Sequence, residues 1–561
     1  MILCALLLIA LTWSFLKLKD VGSRESGLPP GPPTVPILGN LGIFPKEFAY
    51  LRLTEWARLW GGIYSLKLGP KTAIVLTDAA AVKELMEKRS QNTSDRPPNF
   101  IADSVTGGLG LSLAHYGNTW RTLRRTAHTI LTPKMCDKHL PIQYAETTQL
   151  LFDVLHNPDG FYNHIRRFSN SAIMSVLFGK RCPRYETPET TAFFIAQHEW
   201  ELLLEPGATP PVDLLPFLQK VPERWAKWKR DVRQCRKHQR DLYFGLLDET
   251  KERMNKGEEN GSYMEEVIKR QEEFGLDREM MGYLGGILLE GGSDTTSSFL
   301  HSVVLAMIAF PETQKKAQAE LDRVVGPHRL PTLDDLPELP YLRALIQETH
   351  RFRPVAPLIL PHATTAPDEY KGYLIPAGTT IFINVWGIFH DPGELDELSV
   401  KVAILNLLRR AELYDDPDTF DPDRYLATEN GTKPGVDGSD VRPTLGFGCG
   451  RRLCPGIHLA QNSINLDTMR LLWAFNFSRA TDPETGKPID VDVNDYLKGI
   501  LTGPCPFKAS ITPRSTEVVG IIEREFHEAT DTFSKFEFGL SAEDKSFLKK
   551  YRSQSSRLAS Q

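Results

Sequence analysis

One run near the C-terminal end constrains this chain most: Phe447-Gly448-Cys449-Gly450-Arg451-Arg452-Leu453-Cys454-Pro455-Gly456. Glycines at this density permit turns that a side chain forbids, and they allow a flat ligand to approach the backbone closely. A largely apolar segment, Ile457 to Leu471, follows with a helical pattern. A helix starting there would aim its N-terminal amides and positive dipole end at the Cys454 sulfur, lowering the thiol pKa and favouring thiolate.

A thiolate presented in this way is what a haem iron requires of an axial ligand. The run resembles the haem-binding signature of cytochromes P450, with Phe447, Gly450, Arg452, Cys454 and Gly456 at the family's spacing. The resemblance implies a mainly α fold with a smaller β-rich part. It also implies haem b as cofactor, Cys454 as the axial thiolate ligand to the metal, and Arg452 as a propionate partner. Taken alone, Cys454 also fits a buried structural cysteine, so the weight falls on further motifs.

Trp120 and Arg124 stand four apart, so a helix puts an indole and a guanidinium on one face. The pair matches the family helix that contacts a haem propionate. Met280 to Ile308 is long, apolar and helical in pattern, but Gly285-Gly286 and Gly291-Gly292 predict an interrupted helix. Gly291 to Thr296 resembles the family's oxygen-binding motif, with glycine where alanine is commoner. By that resemblance Thr295, with water, supports oxygen activation and Asp294 belongs to the proton relay. An acid–alcohol pair also favours a monooxygenase over the P450-fold isomerases and dehydratases.

Glu348 and Arg351 lie three apart on a predicted helix, and Arg424 follows in Pro422-Asp423-Arg424. In the family these positions form a buried ion network behind the haem. Past that helix, Val355, Leu358 and Ile359 are expected to line the substrate pocket, and His362 to meet a propionate. Leu501 and Thr502 are expected near the same pocket. Ile63–Leu68 and Thr72–Leu76 read as a hairpin, as does Leu374–Ile381, while Val491–Ile500 and Pro506–Thr512 resemble the last family strands. The stretch from Pro97 to Gly117 reads as an irregular loop, which the resemblance places over the pocket.

The 561 residues carry 66 basic and 71 acidic side chains, which gives no support to a nucleic-acid partner. Seven cysteines without repeating spacing argue against a disulfide framework or a zinc site. Residues 1–19 are apolar up to Lys17 and Lys19, and read as an uncleaved anchor in the lipid bilayer. A cleaved signal peptide is the alternative, and would make Asn92-Thr93-Ser94 a glycosylation site. Residues 20–36 contain a proline-rich hinge, 37–520 the catalytic domain and 521–561 a charged tail without a recognised role.

Residues 393–411 depart from the family pattern. They are an apolar stretch between His390-Asp391-Pro392 and Glu412-Leu413-Tyr414. They are either an amphipathic insertion or an in-frame intron retained in translation; removing them restores a contiguous family-like sequence, which favours the intron.

The implied activity is insertion of one oxygen atom of O2 into a hydrophobic small-molecule substrate. Electrons would come from NADPH through a separate cytochrome P450 reductase, with cytochrome b5 as a further partner. The site would be the endoplasmic reticulum membrane, body facing the cytosol. The overall sequence looks like fungal P450s of secondary metabolism or xenobiotic oxidation. The alternatives are a P450-fold isomerase or dehydratase, or a non-catalytic haem-binding product if residues 393–411 disrupt the fold.

Overall fold

A computed structural model describes residues 20–205, 207–390 and 413–558. The predicted anchor and residues 393–411 lie outside them. In chain order the main elements begin with α1 (Ala49–Trp60), β1 (Ile63–Leu68), β2 (Lys71–Leu76), α2 (Asn118–Ile130), α3 (Leu140–His156) and α4 (Phe161–Phe178). Then come α5 (Pro188–Leu204), α6 (Lys227–Asn255), α7 (Arg278–Ala309), α8 (Pro340–Phe352), β3 (Leu358–Ala363), β4 (Asp368–Tyr370), β5 (Tyr373–Ile375) and β6 (Thr380–Asn384). The last are α9 (Ile457–Ala474), β7 (Phe475–Arg479), β8 (Ala509–Pro513), α10 (Thr516–Glu528) and α11 (Ala542–Leu558).

The helices enclose one large apolar core fed by α3, α4, α6, α7, α8 and α9. Beside it lies a four-stranded sheet of order β1-β2-β6-β3. The β1–β2 hairpin forms as its alternating pattern predicts, with Leu68 opposite Lys71. The second expected hairpin does not. Tyr373–Ile375 pairs back onto Asp368–Tyr370, while Thr380–Asn384 joins the large sheet parallel to β2. Pro376-Ala377-Gly378 therefore links two sheets. Of the last two expected strands, only the second forms, β8 against β7. The expected loop over the pocket contains a helix, Phe100–Thr106, whose Asn99 cap accepts from the Ala102 amide.

The central helix α7 is continuous rather than interrupted. Asp277 caps it by accepting from the Met280 amide at 2.8 Å. Gly285, Gly286 and Gly292 are sites of close approach: a Cβ at Gly286 would lie 2.2 Å from the Tyr243 ring, and one at Gly292 2.4 Å from Ile173. The helix cost of glycine is thus offset by packing that brings α4 and α6 against its axis.

The proline hinge is docked on β1. Ser65 donates to Pro29 O at 2.6 Å, and Arg24 donates to Pro32 O at 2.8 Å and to the Ser65 hydroxyl at 2.8 Å. The tail is docked too, and α10 runs through the boundary drawn at residue 520. Phe526 stacks on Phe152 of α3 with centroids 4.1 Å apart, and the Arg181 amide donates to Phe536 O at 2.9 Å.

Candidate active site

The Cys454 loop is held between α9 and the segment that follows β2. Gly450 has φ +56°, and a Cβ there would lie 2.1 Å from Met86 O, so only glycine fits. The Cys454 amide donates to Phe447 O at 2.8 Å, closing the loop two residues before the Gly456 cap of α9. Gln143 and Thr147 of α3 fix α9 by donating to Ser463 Oγ at 2.8 Å and Asp467 Oδ1 at 2.6 Å.

Cys454 opens onto a cavity of about 390 Å³. Trp120, Arg124, Phe447, Arg452 and Gly456 line it beside the sulfur; Thr295, Val355, Leu358, Ile359 and Leu501 line it elsewhere. Sequence spacing therefore brought together residues far apart in the chain. The thiol differs from expectation. Burial pushes its pKa up, and this outweighs the Gly456 amide and Arg124, which lower it. A cation bound against the sulfur would favour its anionic form.

Three expected site residues are not part of the cavity lining. Thr502 is not in the cavity wall; its amide donates to Val355 O at 2.8 Å and its hydroxyl approaches Pro354 O at 3.4 Å, so it positions Val355. Asp294 is also outside the wall, and burial raises its pKa while Arg166 opposes the rise. His362 lies behind the wall, with Nδ1 2.8 Å from Thr93 O. Since a carbonyl only accepts, Nδ1 carries the proton and Nε2 of the neutral ring is bare. The Thr295 hydroxyl donates back along the helix to Gly291 O at 2.6 Å. Its lone pairs remain free for a donor.

The groups beside Cys454 suit a flat dianionic cofactor. Trp120 Nε1 and His362 Nε2 are buried without hydrogen-bond partners. Arg452 stacks 4.3 Å over the Trp120 ring and donates to Ser94 O and Ala114 O. Burial lowers its pKa to about 9 and that of Arg96 to about 10. Arg96 was not foreseen. It donates to Ser112 O at 2.9 Å and Leu360 O at 2.6 Å, and lines the same cavity. Three guanidiniums on one wall, Arg96 buried and Arg124 and Arg452 half-buried, need anions, and two carboxylates of a haem would supply them.

Behind the site, Glu348 and Arg351 are fully buried and pair through two contacts of 2.7 Å. Arg424 Nε lies 3.2 Å from Glu348 Oε2, near enough for charge pairing but without hydrogen-bond alignment.

The cytochrome P450 family model matches residues 29–397 and 396–508, and the break falls within the atypical segment. The chain belongs to the cytochrome P450 family. A cytochrome P450 monooxygenase of Armillaria gallica is 43% identical over 533 residues, covering 95% of this chain and 98% of the relative. Cytochrome P450 monooxygenase yanC of Aspergillus niger is 39% identical over 542 residues, covering 94% and 96%. A zebra fish cytochrome P450 solved with progesterone shares the fold, with TM-score 0.66 and 23% identity over 83% of this chain and 99% of that one. This P450 is a haem-thiolate monooxygenase acting on organic substrates, of the type found among fungal relatives. Membership implies haem b with an axial cysteine, a redox-partner reductase and a small-molecule substrate.

Proposed function

We propose that Cys454 is the sulfur that binds the haem iron, and that the cavity it faces is where a hydrophobic small molecule is oxidised. The observation carrying this is the coincidence, on one cavity, of Cys454, the three guanidiniums of Arg96, Arg124 and Arg452, and the orphaned Trp120 nitrogen. When bound, haem b supplies the redox chemistry that activates O2, places one oxygen atom in the substrate and releases the other as water.

The chain's own groups do the rest. Arg96, Arg124 and Arg452 neutralise the propionates, and Trp120 Nε1 donates to one of them. His362 joins them once Nε2 is protonated, which a neighbouring anion favours. Thr295, its proton committed to Gly291 O, accepts from a water and so orients that water's other proton toward the oxygen side. Asp294 leans toward its neutral acid and serves as the next proton source outward. Val355, Leu358, Ile359 and Leu501 exclude water and orient the substrate; Thr502 acts through Val355.

Electrons come from NADPH through cytochrome P450 reductase, with cytochrome b5 on the same face. Arg121, Arg125 and Arg451 are exposed there, and Arg121 and Arg451 flank Tyr116 at 5.4 and 5.7 Å from its ring. The body sits on the cytosolic side of the endoplasmic reticulum membrane, anchored by residues 1–19. Among the described residues no helix is long and apolar enough to cross a membrane. Exposed Val35, Ile37, Leu38 and Ile43 lie at the end of the hinge segment and just beyond it, and suit a lipid surface. The Asn92 side chain accepts from the Ala366 amide at 2.7 Å, which disfavours its use as a glycan acceptor.

Reconstitution with P450 reductase tests the reading. Substrate oxidation requires both NADPH and reductase; turnover without either contradicts it and assigns a P450-fold isomerase or dehydratase.

A further inference from the structure

The wall of this cavity is apolar through Phe168, Ile173, Leu177, Ile287 and Leu288, yet two carboxyl side chains open onto it, Glu201 of α5 and Glu290 of α7. Glu290 is 9% exposed. Its Oε1 accepts from Tyr243 and, at 3.3 Å, from Gln239 of α6, while Oε2 is engaged by neither. Among the described residues no Lys, Arg or His forms an ion pair with it. A buried carboxyl in an apolar wall, left with an unused oxygen and no counter-cation, is costly unless something in the cavity completes it.

Glu290 precedes Thr295 by five residues on one continuous helix, about 7.5 Å along the axis. A Cβ at the intervening Gly291 would meet nothing within 4 Å, so the path along the helix toward Thr295 is open.

We propose that Glu290 Oε2 is the polar anchor of the substrate, and that it accepts a hydrogen bond from an uncharged hydroxyl on a small, otherwise apolar molecule. The proposal rests on the cavity being the oxidation site. The hydroxyl binds at one end while the carbon to be oxidised lies about one ring's length away, toward Thr295 and Cys454. A hydroxyl is favoured over an ammonium because it donates to an ionised carboxyl and accepts from a neutral one, whereas an ammonium needs the ionised form. Burial raises the Glu290 pKa to about 7, and raises that of Glu201 to about 8 with Asp294 adding to it. The groups facing this end are Tyr243 and Cys235 of α6, Glu199 and Glu201 of α5, Arg166 of α4 and Asp294 of α7 itself. Arg166 already supplies the positive charge beside Glu201 and Asp294.

Equilibrium dialysis of haem-loaded full-length protein against benzyl alcohol, ethylbenzene and phenyltrimethylammonium tests this. Benzyl alcohol is expected to bind roughly tenfold tighter than ethylbenzene. Glu290→Leu should abolish that preference without weakening ethylbenzene, and Glu290→Gln, the isosteric variant, should reduce it. A preference unchanged in both variants, or a wild-type preference for phenyltrimethylammonium over benzyl alcohol, would overturn the proposal. The reduced-CO spectrum of the same samples reports on Cys454 separately, so failure of the anchor and failure of the haem-ligand reading are distinguishable.

Discussion

Glu348 and Arg424 meet at 3.2 Å although residues 393–411 stand between them in the chain. Arg351 explains how: its Nη1 donates both to Phe389 O at 2.9 Å and to Pro417 O at 2.8 Å. One buried guanidinium thus clamps the chain on either side of the atypical segment. The Asp421 amide completes the cluster by donating to Glu348 Oε1 at 2.9 Å.

Breaking this cluster leaves buried charge uncompensated. Arg351→Ala should cost about 3–5 kcal/mol and prevent stable haem incorporation. Haem-to-protein ratio and urea unfolding check this, and full haem content in the variant would refute it.

The clamp is built on the flanks themselves, Phe389 on one side and Pro417 on the other. Deleting residues 393–411 should therefore preserve haem content and change stability by only about 1 kcal/mol, the scale of a loop-length effect. Peptide mapping of protein from its native source addresses the intron reading: that reading expects no peptide from within residues 395–408, and recovery of one excludes it.

Proton supply has its own signature. Thr295→Ala and Asp294→Asn should keep substrate binding and haem content while product formed per NADPH consumed falls. The oxidation rate should drop by roughly 10², the scale of a lost positioned acid or base. Substrate titration beside product-to-NADPH stoichiometry separates this from a folding defect. Unchanged stoichiometry in both variants would remove these residues from the relay.

Truncation after Ser515 should destabilise the body as well as remove the tail. It uncovers Phe152 and removes the buried Ile521, Ile522, Phe526 and Phe533, a loss of roughly 6–12 kcal/mol at about 1.5–3 kcal/mol per side chain. It also takes Glu537 from the buried Arg181, at 3.1 Å. A truncated protein with an unchanged urea midpoint would contradict this.

Features carried by local spacing were legible in the sequence: the Cys454 loop, the Trp120–Arg124 face, the Glu348–Arg351 pair and the first hairpin. Features created by long-range packing were not. Arg96 follows no periodicity, and its place is fixed by the Leu360 carbonyl 264 residues away. Gly285, Gly286 and Gly292 looked like breaks because the Phe178, Tyr243 and Ile173 side chains that crowd them come from other helices. The Cys454 thiol looked acidic because a helix N-terminus is visible in sequence, whereas the burial that outweighs it is not. No local spacing singles out Glu201 or Glu290, which the fold brings onto one apolar cavity.

The reduced-CO difference spectrum tests the central assignment most directly. Wild-type protein should show the red-shifted band of a thiolate-ligated haem, and Cys454→His, if it retains haem, should show a blue-shifted band. A blue-shifted band in the wild-type protein, or a red-shifted band that survives Cys454→His, would contradict the assignment of Cys454 as the iron ligand.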